Sequence, residues 1–209
     1  MDFNLTDIQQ DFLKLAHDFG EKKLAPTVTE RDHKGIYDKE LIDELLSLGI
    51  TGAYFEEKYG GSGDDGGDVL SYILAVEELA KYDAGVAITL SATVSLCANP
   101  IWQFGTEAQK EKFLVPLVEG TKLGAFGLTE PNAGTDASGQ QTIATKNDDG
   151  TYTLNGSKIF ITNGGAADIY IVFAMTDKSK GNHGITAFIL EDGTPGFTYG
   201  KKEDKMGIH

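Results

Sequence analysis

Thr142-Ile143-Ala144-Thr145-Lys146, then Asn147-Asp148-Asp149-Gly150, then Thr151-Tyr152-Thr153-Leu154 reads as two short strands around a turn. β-Branched and aromatic residues alternate with polar ones on both sides, and the turn contains glycine, which together make a hairpin pattern. Downstream, Ile169 to Met175 and Ile185 to Leu190 are β-rich runs of strand length. Upstream the period changes. Thr6 starts a helix with Gln9 as its capping-box partner, and Ile8, Phe12, Leu15, Ala16 and Phe19 recur at helical spacing up to the limit set by Pro26. Asp38 opens a second helix with Leu41, Ile42, Leu45 and Leu46 on one face, ending at Gly49. Asp68 caps a third, with Val69, Tyr72, Ile73, Val76, Leu79 and Ala80 read as inward. Ala84 to Ala98 is apolar nearly all round, as a buried helix is. Thr106 and Gln109 form another capping box, with Phe113 and Leu114 toward the core.

The reading is therefore α+β, with an all-helical domain over residues 1–120 and a β-domain, expected to be a barrel-like sheet, over 121–209. Charge divides at the same place: 22 acidic and 10 basic groups precede the boundary, 10 and 8 follow it. At 209 residues and 40% hydrophobic the chain is long and apolar enough for a real core. A net charge of −14, with Arg31 the single arginine, argues against nucleic acid as a partner, since phosphate binding needs clustered cations. The apolar runs are short and punctuated, below the about 18 residues that span a bilayer. Met1-Asp2 and the amphipathic segment after it do not resemble a leader, so a cytoplasmic protein is expected.

Several features have bland readings. The run from Gly60 to Gly67 lacks a Gly-Lys-Ser/Thr ending, and Asp64, Asp65 and Asp68 lack calcium-loop spacing, so a flexible connection is expected. His17, His33, His183 and His209 are scattered, so no metal site is expected. The lone Cys97 lies in the apolar helix and should be inert.

Two stretches stand out. Gly124-Ala125-Phe126-Gly127-Leu128-Thr129-Glu130-Pro131-Asn132-Ala133-Gly134-Thr135-Asp136 leads a strand into a turn followed by small and hydroxylated residues. Gly134 frees the backbone to approach a ligand, and a structural turn is the alternative. Asn155-Gly156-Ser157-Lys158-Ile159-Phe160-Ile161-Thr162-Asn163-Gly164-Gly165 sets a ring and a hydroxyl two apart, on one side if the segment is a strand. Such a pair suits a flat heteroaromatic cofactor.

Together, in this order behind a helical region, the run Leu128 to Asp136 and the run Lys158 to Gly164 resemble the signatures of the acyl-CoA dehydrogenase family. Gly200-Lys201-Lys202-Glu203-Asp204-Lys205-Met206-Gly207-Ile208 resembles its short-chain, butyryl-CoA branch. The resemblance is collinear over the whole chain. It implies FAD as cofactor, bound by Phe126, Leu128, Thr129, Gly134, Thr135, Phe160, Ile161 and Thr162. The Leu128 amide and Thr129 hydroxyl would serve the pyrimidine edge, Thr135 the pyrophosphate and the mouth of the CoA site, and Thr162 the neighbourhood of N5. Phe160 stands where the family usually has tryptophan, which keeps a stacking surface and removes an indole N–H.

For the substrate, Thr135 and Asn182 are expected near CoA, and Leu90 and Leu96 at the floor of the acyl pocket. The implied reaction is α,β-dehydrogenation of a short-chain acyl-CoA, with electrons passed to an electron-transferring flavoprotein by a homotetramer. The family's glutamate base belongs to a C-terminal helical domain with no counterpart in these residues, so no catalytic residue is assigned here. Alone, the chain is expected not to turn over substrate. Two other readings stay open: a non-catalytic fragment that scaffolds or binds a partner, and an acyl-CoA oxidase.

Overall fold

The structure is a computed structural model that describes residues 3–64 and 66–208; the readings placed on Met1, Asp2, Asp65 and His209 lie outside it. The first helix, α1 (Asp7–Phe19), starts at Thr6 with both capping-box hydrogen bonds made. It widens into a π-helical turn at Gly20–Leu24, where the Ala25 amide donates to Gly20 O five residues back. Glycine is required there because a Cβ on Gly20 would sit 2.2 Å from the Tyr82 ring. Next come α2 (Val28–Lys34) and α3 (Lys39–Leu46), the latter capped by Asp38 and burying Leu41, Ile42, Leu45 and Leu46. A glycine in the left-handed region, Gly49 at φ 81°, follows α3.

α4 (Val69–Tyr82) is capped by Asp68, but its buried stripe is Ser71, Tyr72, Ala75, Glu78 and Leu79. Val69, Ile73 and Ala80 are exposed, contrary to the periodicity reading. The helix is rotated because its polar residues have partners inside. Glu78 accepts from His17 of α1 at 2.9 Å and pairs with Lys81, so its buried carboxylate is satisfied.

α5 (Ala84–Ser91), capped by Asp83, runs through a second π-helical segment, Ala92–Ala98, into α6 (Asn99–Phe104). This continuous 21-residue stretch, mean hydropathy 1.5, is by length and composition long and apolar enough to cross a membrane. Scattered Ser, Thr and Gly hide that length when uninterrupted apolar runs are counted, so the reading of short runs is corrected. Half of its most apolar window is buried inside the protein, as in a core helix. Beyond α6 come α7 (Glu107–Gln109), capped by Thr106, a third π-helical turn at Lys110–Leu114, and α8 (Val115–Val118).

The glycine run is a loop, though a tied one. The Gly61 amide donates to Glu56 O, Gly63 to Phe55 O and Gly67 to Ser62 O. A Cβ on Gly61 would lie 2.1 Å from Phe55 O. The expected flexible connection is thus a close backbone-to-backbone packing that only glycine permits.

The second half builds on β1 (Gly124–Gly127), β2 (Ile143–Lys146), β3 (Tyr152–Asn155), β4 (Ile169–Met175) and β5 (Ile185–Glu191). β4 is central and almost wholly buried. β1 lies parallel to it from Gly124 opposite Ile169 to Gly127 opposite Val172. β2 meets the same edge further along, at Ile143 opposite Met175, and carries β3 antiparallel. β5 runs antiparallel to β4 along its whole length. The result is an open mixed sheet rather than the barrel-like closure expected. Among the described residues no pairing joins β3 or β1 to β5, so the sheet does not close.

Helices and sheet share one core. Leu90, Val94, Cys97 and Leu117 belong to the same buried cluster as Ala125, Ile169 and Ile171. Gly124 makes this approach possible: a Cβ there would fall 2.6 Å from that of Cys97.

Candidate functional site

β1 ends at Gly127 and the chain leaves the sheet as Leu128-Thr129-Glu130. Glu130 turns back so that its amide and that of Ala133 exchange hydrogen bonds with each other's carbonyls at 3.1 Å. Thirty residues on, the segment after β3 crosses this turn. The Ile159 amide donates to Thr129 O at 2.9 Å, and Lys158 Nζ donates to Leu128 O at 3.1 Å. The two stretches singled out in the sequence are therefore stitched side by side.

The segment 158–164 is not a strand. Phe160 has φ 56° and Asn163 φ 64°, both in the left-handed region, and the chain bends at each. The two-apart rule for strands accordingly fails for Phe160 and Thr162. The bend is held by Asn163, whose side-chain amide donates to Gly124 O at 2.8 Å and Thr89 O at 3.0 Å.

Where the stretches meet there is a cavity of about 160 Å3, lined by Ala92, Leu96, Phe126, Leu128, Thr129, Phe160, Ile161 and Thr162. Six of the eight residues assigned to the cofactor lie here. Gly134 and Thr135 do not; both are exposed in the following turn, and a Cβ on Gly134 would meet nothing within 4 Å. Leu96, 42% exposed, lines the cavity. Leu90, fully buried, is absent from its wall and fills the core instead. Asn182 is exposed in the 3-10 segment Lys178–Gly184 between β4 and β5 and does not line the cavity either. Ala92 is a lining residue that the sequence reading missed, because a small apolar residue in an apolar helix carries no signal.

The chemistry of the wall is one-sided. Phe126, Leu128, Ile161, Leu96 and Ala92 are apolar, and Phe160 offers a ring that is 72% exposed. Thr129 and Thr162 supply hydroxyls with no hydrogen bond to protein among the described residues. Among the described residues no carboxylate, histidine or cysteine lines it. A wall of this kind can bind, orient and exclude water; it holds no group that abstracts a proton.

Behind it lies a buried ion pair. Glu130, 5% exposed, and Lys158 meet at 2.7 Å. Glu130 also accepts from the Thr142 amide at 3.0 Å and from the Gln141 amide. Burial opposes the charge, but Lys158 and these donors outweigh it and bring the Glu130 carboxyl down to about 2. Cys97 is buried and desolvated, its thiol pushed up to about 12, which suits an inert core thiol. Among the described residues no three His, Cys, Asp or Glu side chains are grouped to hold a metal.

The fold and site define a flavoenzyme family. The model of the acyl-CoA dehydrogenase N-terminal domain matches residues 6–121, and that of the middle domain matches 125–209. The chain belongs to the acyl-CoA dehydrogenase family.

Among relatives, it is 51% identical to the short-chain specific acyl-CoA dehydrogenase of Clostridium acetobutylicum, over 100% of this chain and 54% of that protein. It is 42% identical to the acryloyl-CoA reductase (NADH) of Anaerotignum propionicum, over 100% of the chain and 52% of the relative. A solved structure described as the electron transferring flavoprotein of Acidaminococcus fermentans contains a chain 64% identical, with a TM-score of 0.96, covering all of this chain and 54% of that one. The FAD complex of PigA matches at 35% identity and TM-score 0.89, over 98% of this chain and 53% of that one. The chain thus spans about half the length of the relatives it matches.

Proposed function

We propose that these residues form the cofactor-binding half of an FAD-dependent acyl-CoA dehydrogenase acting on short-chain acyl-CoA thioesters, with electrons passing to an electron-transferring flavoprotein. The observation that carries this is the convergence of two motifs, thirty residues apart, on one cavity with an apolar wall and two uncommitted hydroxyls. Whole pockets for drug-sized ligands run to roughly 300–1,000 Å3. A cavity of about 160 Å3 therefore fits one edge of a tricyclic ring better than a whole dinucleotide.

In this reading Phe126, Leu128, Ile161 and Phe160 pack on the ring system and keep water away. The Thr129 and Thr162 hydroxyls donate to its polar atoms. Gly134 and Thr135, on the exposed turn, meet the pyrophosphate, and Thr135 and Asn182 approach the CoA. Bound FAD supplies a hydride acceptor for the β-hydrogen of the thioester. Loss of the α-proton needs a base matched to a weak carbon acid. Among the described residues the cavity wall contains none, so that group is proposed to come from the portion of relatives' length outside these residues. A cytoplasmic homotetramer is part of the same proposal.

The relative named as an acryloyl-CoA reductase favours a second reading, in which the net direction is reduction of a short α,β-unsaturated thioester. Purification of the full-length enzyme tests the first reading: it should carry FAD, and anaerobic butyryl-CoA should bleach the flavin absorbance. Absence of FAD, or no bleaching by butyryl-CoA, overturns it. Bleaching by NADH, followed by return of colour with acryloyl-CoA but not with electron-transferring flavoprotein, selects the second.

A further inference from the structure

Lys158 is an unusual lysine, 10% exposed and with all its donors in use. Its ammonium touches Glu130 Oε1 at 2.7 Å, Gln140 Oε1 at 3.0 Å and Leu128 O at 3.1 Å. An ammonium has three protons, and here there are three acceptors. Burying such a pair is expensive unless every partner is satisfied, and a hydrophobic pair would often be as stable.

The third acceptor is the informative one. Leu128 O and the Thr129 N–H belong to the same peptide group. Thr129 lines the cavity, and its N–H donates to no protein acceptor among the described residues. A cation on the carbonyl of a peptide draws electron density from the nitrogen and strengthens the N–H as a donor. Hydrogen bonds with an ionised partner are roughly twice as strong as neutral ones. Glu130 is fixed by the Gln141 and Thr142 amides and holds the ammonium in place from the far side.

We infer that Lys158 is a positioning residue that polarises the Leu128–Thr129 peptide, making the Thr129 N–H a strong donor to the electron-rich edge of a heteroaromatic group in the cavity and favouring that group's reduced, more negative form. This rests on the FAD reading given above. A merely structural Lys158 would affect oxidised and reduced cofactor alike, whereas a polarising one discriminates between them.

The test uses the full-length holoenzyme with Lys158→Gln, Glu130→Gln and the double variant Lys158→Met/Glu130→Gln, which removes both charges together. The flavin reduction potential is measured by equilibrium titration against a reference dye, and the affinities for oxidised and reduced FAD by equilibrium dialysis. Loss of the ammonium should lower the ratio of reduced to oxidised affinity about tenfold, a fall of ~30 mV for a two-electron couple. Glu130→Gln, which leaves the ammonium on Leu128 O, should stay closer to wild type. If Lys158→Gln does not fold, the double variant decides. A folded double variant with an unchanged potential, or with both affinities weakened equally, overturns the inference and leaves the FAD reading standing. A wild-type enzyme without FAD overturns both.

Discussion

The side-chain amide of Asn163 donates to the carbonyl of Gly124 at 2.8 Å, joining the bend that ends one wall of the cavity to the first residue of the strand that leads into the other. The same nitrogen reaches Thr89 O in α5 at 3.0 Å. One residue thereby locks helix, strand and turn, in a left-handed conformation at φ 64° that asparagine tolerates better than most.

Two substitutions at Asn163 should separate these contributions. Asn163→Gly keeps the conformation accessible and loses two hydrogen bonds, costing about 1–3 kcal/mol in all. Asn163→Ala should cost roughly 1–2 kcal/mol more, because alanine pays for the left-handed backbone. Urea unfolding checks the order; equal stability of the two variants contradicts it.

Glu130 gives a pH signature. Its carboxyl is held near 2 in the fold, below the ordinary 4.5. The folded state therefore binds the proton less readily than the unfolded chain, and its stabilising contribution is complete above pH 4.5. That contribution is lost as pH falls toward 2 and is on the order of 3 kcal/mol. Thermal unfolding across pH 5 to 2 should show a shallower decline for Glu130→Gln than for wild type. Parallel curves would show that Glu130 does not contribute.

Gly61 and Gly134 should behave oppositely. Gly61→Ala drives a methyl to within 2.1 Å of Phe55 O and should cost about 1–3 kcal/mol or more. Gly134→Ala has open space and should change stability by less than about 0.5 kcal/mol. If Gly134 faces the cofactor's pyrophosphate, its penalty appears in FAD retention alone. Scanning calorimetry with FAD content measured in parallel resolves both.

Leu90 and Leu96 should also part company. Leu90→Ala empties a fully buried position and should lose about 2–5 kcal/mol of stability. Leu96→Ala, half-exposed on the cavity wall, should lose much less and instead alter FAD affinity or the kcat/KM ratio for butyryl- over octanoyl-CoA. A Leu96 variant unchanged in both would remove it from the binding surface.

What could be read from the sequence was local. The capping boxes at Thr6/Gln9 and Thr106/Gln109 and the hairpin turn with Gly150 are decided within a few residues, so the letters suffice. The face of α4 was not legible, because Glu78 is buried by virtue of His17, sixty-one residues away. The shape of 158–164 was hidden for the same reason, since Asn163 bends the chain to reach Thr89 and Gly124. Six of the eight residues lining the cavity belong to the paired motifs, whereas the role of Lys158 is not legible locally because its partners lie 18 to 30 positions distant.

Cys97 has a practical consequence. It is the single thiol of these 209 residues, sealed beneath β1 with its Sγ facing Ile169 O and its pKa near 12. A maleimide or nitroxide reagent at neutral pH should pass it by. A cysteine introduced at an exposed position such as Thr135 or Asn182 would then be the one label this segment accepts, giving a fluorescent or spin reporter without first mutating a native residue away.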